Sequence, residues 1–160
     1  MTKFTTAALG VLLALGIPGA SAHAKPKVST STQYYTLTGK TVPELRAELK
    51  KKGPRGYWAY TEWYVRWSGS CALSVDIKYT LPKHKSPGAL DPRTRASLDS
   101  MIAALTRHEQ GHGAFAINAA SEIEKTRCAD GDAVLAKYLK AEKAYDKKTD
   151  HGKREGVVLK

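Results

Sequence analysis

Two neighbouring segments of the chain alternate apolar and polar residues with the two-residue period of a β-strand. In residues 57–67, one face carries the less polar side chains: Ala59, Thr61, Trp63, Val65 and Trp67. In residues 71–81, the apolar face is more regular: Cys71, Leu73, Val75, Ile77, Tyr79 and Leu81. Ser68-Gly69-Ser70 separates the two segments, which predicts an antiparallel hairpin with one buried face.

Three other segments carry the boundary signals of helices. Thr41-Val42-Pro43-Glu44 has the form of a capping box, and Gly53-Pro54 would end the helix that follows. Asp91-Pro92 supplies a cap and a first helical residue for a helix that continues to about Thr126. A last helix is predicted from about Asp132 to Tyr145. A hairpin combined with separate helices indicates an α+β fold.

The helix predicted between Pro92 and Thr126 is long for a chain of this size. As an unbroken helix it would measure roughly 52 Å, whereas a globule of this length is only about 37 Å across. We therefore expect it to protrude or to break, and the expected places of a break are Gly111, Gly113 and Asn118.

The first 22 residues have the organisation of a secretory signal peptide. Lys3 precedes an apolar run from Ala7 to Ile17, and Ala20-Ser21-Ala22 forms a suitable cleavage site, with a competing cut after Ala24. The apolar run of about 11 residues is too short to span a bilayer, so we expect no transmembrane anchor after cleavage. The mature protein is therefore expected outside the cytoplasm.

Composition divides the remainder of the chain into three parts. Residues 25–33 are rich in Lys, Pro, Ser and Thr and are expected to form a disordered lead-in. Residues 34–152 are expected to form a single domain that begins with a short strand from Tyr34 to Thr38. Residues 153–160 are expected to form a basic tail.

Cys71 and Cys128 are the two cysteines of the chain. An even number of cysteines in an exported protein is most simply explained by a disulfide. By closing a loop of about 58 residues, the bond would stabilise the fold by roughly 4 kcal/mol. A zinc-binding or catalytic thiol is the alternative that the sequence leaves open.

The charge of the chain is strongly positive. Its 160 residues include 26 Lys and Arg against 15 Asp and Glu, a formal net charge of +11. The excess lies toward the ends, since residues 92–124 hold three arginines and four carboxylates. A nucleic-acid groove would gather positive charge instead, so we expect no nucleic-acid partner. An anionic envelope surface is the partner that the basic ends favour.

Residues 108–112 have the sequence His-Glu-Gln-Gly-His, an HExxH motif within the long predicted helix. Two histidines four residues apart lie on one helix face, about 6 Å apart along the axis, so both can bind one zinc ion. Glu109 would lie beside the metal, where it can take a proton from water. Because the motif continues the apolar stripe, an ionised Glu109 would need a compensating cation. Two core histidines with a solvated glutamate are the alternative.

A catalytic zinc ion normally has three protein ligands and one open position. The metzincin pattern is excluded, because Phe115 and Asn118 stand where that pattern needs glycine and histidine. Glu122 and Glu124 have gluzincin-like spacing, but on an unbroken helix Glu122 lies about 15 Å beyond the motif. His151, in the polar closing segment, is the better candidate, although a histidine in such a segment can also be solvated.

These features together resemble a family of bacterial proteins, filed as a domain of unknown function, that are regarded as secreted zinc-dependent proteases. The matching residues span nearly all of the mature chain: Tyr34-Tyr35, Gly39-Lys40-Thr41, Trp63, Trp67, Cys71, Leu81-Pro82, residues 108–112, Cys128, Tyr145-Asp146, Thr149 and His151-Gly152. The resemblance implies that His151 belongs to the site. It also implies a periplasmic or extracellular location in a bacterium.

We therefore predict a zincin-like metallopeptidase domain over residues 34–152, with a small hairpin packed on the HExxH helix and a C-terminal helix. His108, His112 and His151 are expected to hold one Zn²⁺ per chain, for hydrolysis of a peptide or protein substrate. Glu109 is the expected base, and Tyr145 is expected to assist the oxyanion. The alternative is a non-catalytic binding or structural domain of the cell envelope that a metal stabilises.

Overall fold

The computed structural model describes residues 25–160 of the chain. The predicted signal peptide and both of its cleavage sites lie outside these residues. The described part has an α+β fold with three strands and three α-helices: β1 (Lys27–Leu37), α1 (Val42–Lys52), β2 (Tyr60–Trp67), β3 (Leu73–His84), α2 (Pro92–Lys125) and α3 (Gly131–Thr149). This confirms the predicted α+β class. No helix among the described residues is long and apolar enough to cross a membrane.

The three strands form one mixed sheet in the order β1-β3-β2. β2 and β3 are antiparallel, with Trp67 opposite Leu73 next to the turn, which confirms the predicted hairpin. Its predicted apolar face is buried at Val65, Val75 and Ile77. This face packs against the middle and the C-terminal half of α2, because the alternation of residues gives the sheet one apolar side.

The predicted disordered lead-in is corrected by the structure, because residues 27–33 are the first part of β1. This strand is parallel to β3, from Lys27 opposite Ser74 to Leu37 opposite His84. Nearly all of its side chains are exposed, so no apolar pattern marks the strand in the sequence. Its backbone hydrogen bonds to β3 hold it in place, and these do not depend on the nature of the side chains.

α1 begins and ends where the sequence predicts. The hydroxyl of Thr41 accepts from the Glu44 N–H at 3.5 Å, and Oε2 of Glu44 accepts from the Thr41 N–H at 3.1 Å, which completes the capping box. Gly53 follows the last residue, and its N–H donates to the carbonyl of Leu49. A side chain at this position would collide with the backbone of Tyr57, so the turn requires glycine.

α2 runs unbroken through 34 residues, so the predicted break is wrong. The helix is about 51 Å long and packs against both sheet and helices. Its glycines serve close packing instead. A Cβ atom at Gly111 would lie 2.7 Å from the Tyr145 hydroxyl, and one at Gly113 would collide with the hydroxyl of Tyr79. The two glycines therefore let aromatic side chains approach the helix.

Two apolar cores lie along α2. The first contains Leu98, Met101 and Leu105 of α2, together with residues of α1, of the sheet and of the C-terminal segment. The second contains Ala116, Ala119 and Ile123 of α2, packed against β2, β3 and α3. The HExxH motif therefore lies between the two cores. The predicted disulfide between Cys71 and Cys128 is confirmed and joins the hairpin to the segment after α2.

The predicted basic tail is also corrected, since the C-terminal residues are packed into the first core. Val157 and Leu159 are buried there. The guanidinium of Arg46 donates to the carbonyl of Leu159 at 2.5 Å, and the Lys160 N–H donates to Ser97 Oγ at 2.8 Å. Two buried residues in a short basic stretch are too few to show a periodicity, so the sequence did not reveal this packing.

Candidate metal centre

The two histidines of the motif lie on the buried side of α2. His108 and His112 are one helical turn apart, and their Nε2 atoms are 3.3 Å from each other. Both side chains are almost completely buried. This arrangement follows from the four-residue spacing, which puts both rings on the helix face that the sheet and α3 cover.

Asp146 of α3 supplies a third group that points to the same place. Its Oδ1 atom lies 3.2 Å from Nε2 of His108 and 3.0 Å from Nε2 of His112. A tetrahedral zinc ion with bonds of about 2.0–2.1 Å has ligands about 3.3 Å apart. The residues His108, His112 and Asp146 therefore form a group whose donor atoms and separations fit such an ion.

His151 lies next to this group but outside it, so the structure does not bring together the predicted set of three histidines. The side chain of His151 is 54% exposed, and its Nδ1 atom is 3.6 Å from Oδ2 of Asp146. Asp146 takes the third position that the sequence prediction gave to His151. Asp146 could have been identified from the family resemblance, because the Tyr145-Asp146 pair is among the residues that carry it.

Glu109 is buried beside the two histidines, in keeping with its place on the predicted apolar stripe. Its Oε2 atom is 2.6 Å from the hydroxyl oxygen of Thr61 in β2. The same hydroxyl oxygen lies 3.1 Å from the backbone carbonyl oxygen of Glu109. Burial raises the pKa of the Glu109 carboxyl, and the hydrogen bond from Thr61 opposes this rise. Thr61 of β2 thus orients the carboxylate of Glu109, which belongs to α2.

Two further carboxylates contact the outer nitrogens of the histidines. Glu142 Oε1 lies 3.0 Å from Nδ1 of His112, and Glu155 Oε2 lies 2.8 Å from Nδ1 of His108. Burial alone would lower the pKa of His112, but the hydrogen bond to Glu142 and the neighbouring carboxylates raise it overall. Sequence reasoning missed both residues, because nothing in their spacing links them to the motif.

Tyr145 lies in the site, but its hydroxyl is engaged. It donates to the carboxylate of Glu155 at 3.0 Å, and its ring stacks on His108 with 5.0 Å between the centroids. Burial raises the pKa of Tyr145, and the neighbouring Glu155 raises it further. The predicted role at the oxyanion would require this hydroxyl to leave Glu155.

The site carries an excess of negative charge. Four carboxylates lie in or around it: Glu109, Glu142, Asp146 and Glu155. Among residues 25–160, the basic side chains within 4.0 Å of these carboxylates are all histidines, with no lysine or arginine. Such a group is compensated best by a cation, and the nitrogen and oxygen donors suit a divalent transition metal.

A cleft of about 590 Å³ opens onto the motif. One wall is the segment 55–61, which leads into β2 and contributes Tyr57, Trp58 and Tyr60. α3 and the C-terminal segment also line the cleft, with Lys143 and His151 among their residues. His108, Glu109, His112 and Asp146 all line the cleft, so a substrate can reach the candidate centre.

A family model described as "Bacterial protein of unknown function (DUF922)" matches residues 32–152. Neither a curated protein nor a solved structure matches the chain. The matched range includes the HExxH motif, Asp146 and His151, whereas Glu155 lies beyond it. The chain therefore belongs to this family.

Proposed function

We propose that this member of the DUF922 family is a secreted zinc-dependent metallopeptidase with a zincin-like site. One observation carries the proposal. Nε2 of His108, Nε2 of His112 and Oδ1 of Asp146 converge at separations of 3.0 to 3.3 Å, beside the buried carboxylate of Glu109. The disulfide and the sequence of the first 22 residues support export to an oxidising compartment.

The donor set leaves room for catalysis as well as binding. His108, His112 and Asp146 would supply three protein ligands, the number typical of a catalytic zinc ion, and all three residues line the cleft. When bound there, zinc would supply Lewis-acid chemistry, polarising a carbonyl group and lowering the pKa of water. The excess of carboxylates without lysine or arginine partners favours a cation at this place.

Glu109 would act as the base in hydrolysis. Thr61 donates to its Oε2 atom, which orients the carboxylate and leaves Oε1 to accept a proton from water. The water oxygen then forms a bond to the peptide carbonyl carbon. As the C–N bond breaks, the proton held by Glu109 passes to the leaving amine, so the carboxylate is regenerated.

The proposal is tested by the substitution Glu109→Gln, which keeps the shape of the side chain and removes its basicity. We expect this variant to bind zinc with the stoichiometry of the wild type, measured by elemental analysis. Its hydrolysis of an unstructured protein should fall by about 100- to 10,000-fold, because general-base catalysis is lost. Undiminished hydrolysis by the variant would overturn the proposed mechanism.

A non-catalytic domain held together by the metal is the second candidate. It is favoured by one observation, namely that the three donors come from two different helices, so a bound ion would join α2 to α3. This alternative predicts that a chelator lowers the melting temperature while no protein substrate is hydrolysed by the zinc-loaded wild type. Measurable hydrolysis that Glu109→Gln abolishes would rule it out.

A further inference from the structure

We propose that Glu142 and Glu155 are positioning residues, which fix the two histidine rings so that both Nε2 atoms present lone pairs to one point. The inference rests on the proposed metal centre and deepens it. It assigns a function to two carboxylates outside the HExxH motif. Both contact the Nδ1 atoms of the histidines rather than the Nε2 atoms that would bind the metal.

The first pair is His108 with Glu155. A neutral imidazole carries a proton on one nitrogen and a lone pair on the other. Glu155 lies 2.8 Å from Nδ1 of His108 and can accept its proton, and a cation between Nε2 and Asp146 would exclude a proton from Nε2, so with the cation bound the proton is held at Nδ1. The lone pair is therefore at Nε2, the atom that lies 3.2 Å from Asp146.

The second pair repeats this arrangement on the other histidine. Glu142 lies 3.0 Å from Nδ1 of His112 and would hold the proton there when a cation occupies the side of Nε2 and Asp146. Nε2 of His112 then carries the lone pair and faces both Nε2 of His108 and Oδ1 of Asp146. Without the two carboxylates, each ring could adopt the other tautomer or rotate, and the convergence of donors would be lost.

Each carboxylate is fixed in turn by an aromatic donor. The indole N–H of Trp63 donates to Oε1 of Glu142 at 3.1 Å, and the hydroxyl of Tyr145 donates to Glu155 at 3.0 Å. Two series of hydrogen-bonded side chains result, Trp63–Glu142–His112 and Tyr145–Glu155–His108, and we call them the two carboxylate relays. The first relay links β2, α3 and α2, and the second links α3, the C-terminal segment and α2.

The backbone of the C-terminal segment is shaped for the second relay. Gly152 has φ +81°, in the left-handed region that favours glycine, and a Cβ atom there would lie 3.0 Å from the ring of His108. Val157 and Leu159 anchor the following residues in the first core. The chain is thus fixed both before and after Glu155, which keeps this residue next to His108. Glu155 itself lies outside the residues that the family model matches.

The test compares zinc affinity in Glu142→Gln, Glu155→Gln and the double variant, by competition with a chromophoric chelator. We expect each single substitution to weaken zinc binding by about 10- to 100-fold, and the double substitution to weaken it further. Glu122→Gln is the matched control, because Glu122 also accepts from a tyrosine hydroxyl between α2 and α3 but contacts no histidine. Its zinc affinity should equal that of the wild type.

The absorption spectrum of the cobalt-substituted protein gives a second readout, since it reports donor geometry directly. We expect it to change in both relay variants and to stay unchanged in Glu122→Gln. Zinc affinities and cobalt spectra identical to those of the control would overturn the positioning role. A wild type that binds no zinc would remove the metal centre itself, which is a different result. If Glu155→Gln does not fold, Tyr145→Phe takes its place in the comparison.

Discussion

Asp146 and His151 lie five residues apart at the end of α3, yet only Asp146 reaches the two histidines of the motif. Replacing Asp146 by alanine should weaken zinc binding by more than about 100-fold, because a charged ligand is lost. Replacing His151 by alanine should leave zinc affinity within a few-fold of the wild type, because this ring is half exposed and outside the group. Chelator competition measures both.

Asp146→Asn serves as the control for shape, since it keeps the side-chain volume and removes the charge. Its affinity should fall between those of the wild type and Asp146→Ala. If His151→Ala lost zinc while Asp146→Ala retained it, the third ligand would be His151, and the local structure between residues 146 and 152 would have to differ from the one described.

Some residues of the candidate centre could be predicted from the sequence, and others could not. His108, Glu109 and His112 were identifiable because their relation is local and is fixed by the turn of one helix. Asp146 lies 34 residues beyond His112, and its position is set by the packing of α3 on α2. Contacts of that kind leave no periodic trace in the sequence, so no periodicity selects Asp146 over His151 as the third ligand.

Among the elements, α1 is tied to the end of β1 by a single carboxylate, which predicts a pH dependence of stability. Glu48 accepts from the N–H groups of Thr38 and Gly39, from the Thr38 hydroxyl and from Lys52. Desolvation alone would raise the pKa of Glu48, but these hydrogen bonds outweigh it and lower the pKa from 4.5 to about 2.

Because the folded-state pKa of Glu48 is depressed, its contribution is fully present above its unfolded pKa and is lost as the pH falls toward about 2. We expect the contribution to be on the order of 1 kcal/mol, since the side chain is partly exposed. The free energy of unfolding should therefore differ between wild type and Glu48→Gln at about pH 6, and much less at about pH 2. A difference independent of pH would contradict this role.

The elements differ in how far the sequence predicted them. α1, the hairpin and both ends of α2 were predicted because caps, turns and alternation are local signals. β1 was missed over residues 27–33, because an exposed strand held by backbone pairing has no apolar face to detect. From its length, α2 was expected to protrude or to break; the structure shows one unbroken helix, and its two central glycines are places where Tyr79 and Tyr145 pack closely.

For the whole molecule, the disulfide between Cys71 and Cys128 joins the hairpin to the segment that connects α2 and α3. Replacing both cysteines by serine should lower the free energy of unfolding by roughly 2–4 kcal/mol, because the 57-residue separation restricts the unfolded chain strongly. Urea denaturation measures this loss. Zinc affinity of the folded variant should stay unchanged, because neither cysteine contacts the candidate centre.

Reduction of the wild type with dithiothreitol is the companion experiment, and it should reproduce the loss seen in the serine variant. Equal stability of the oxidised and reduced protein would contradict this prediction, because it would show that breaking the disulfide does not raise the conformational entropy of the unfolded chain. A loss of zinc binding in the folded serine variant would instead mean that the second core controls the spacing of the histidines.

The position of the motif between the two cores has a consequence for when the proposed activity can arise. Along α2, His108 follows the residues of the first core and His112 precedes those of the second, whereas Asp146 comes from α3, the last α-helix of the chain. Neither half of the molecule contains the site by itself. Under the proposed function, a chain that is still unfolded would therefore lack the site, and hydrolysis would begin only once both cores have formed.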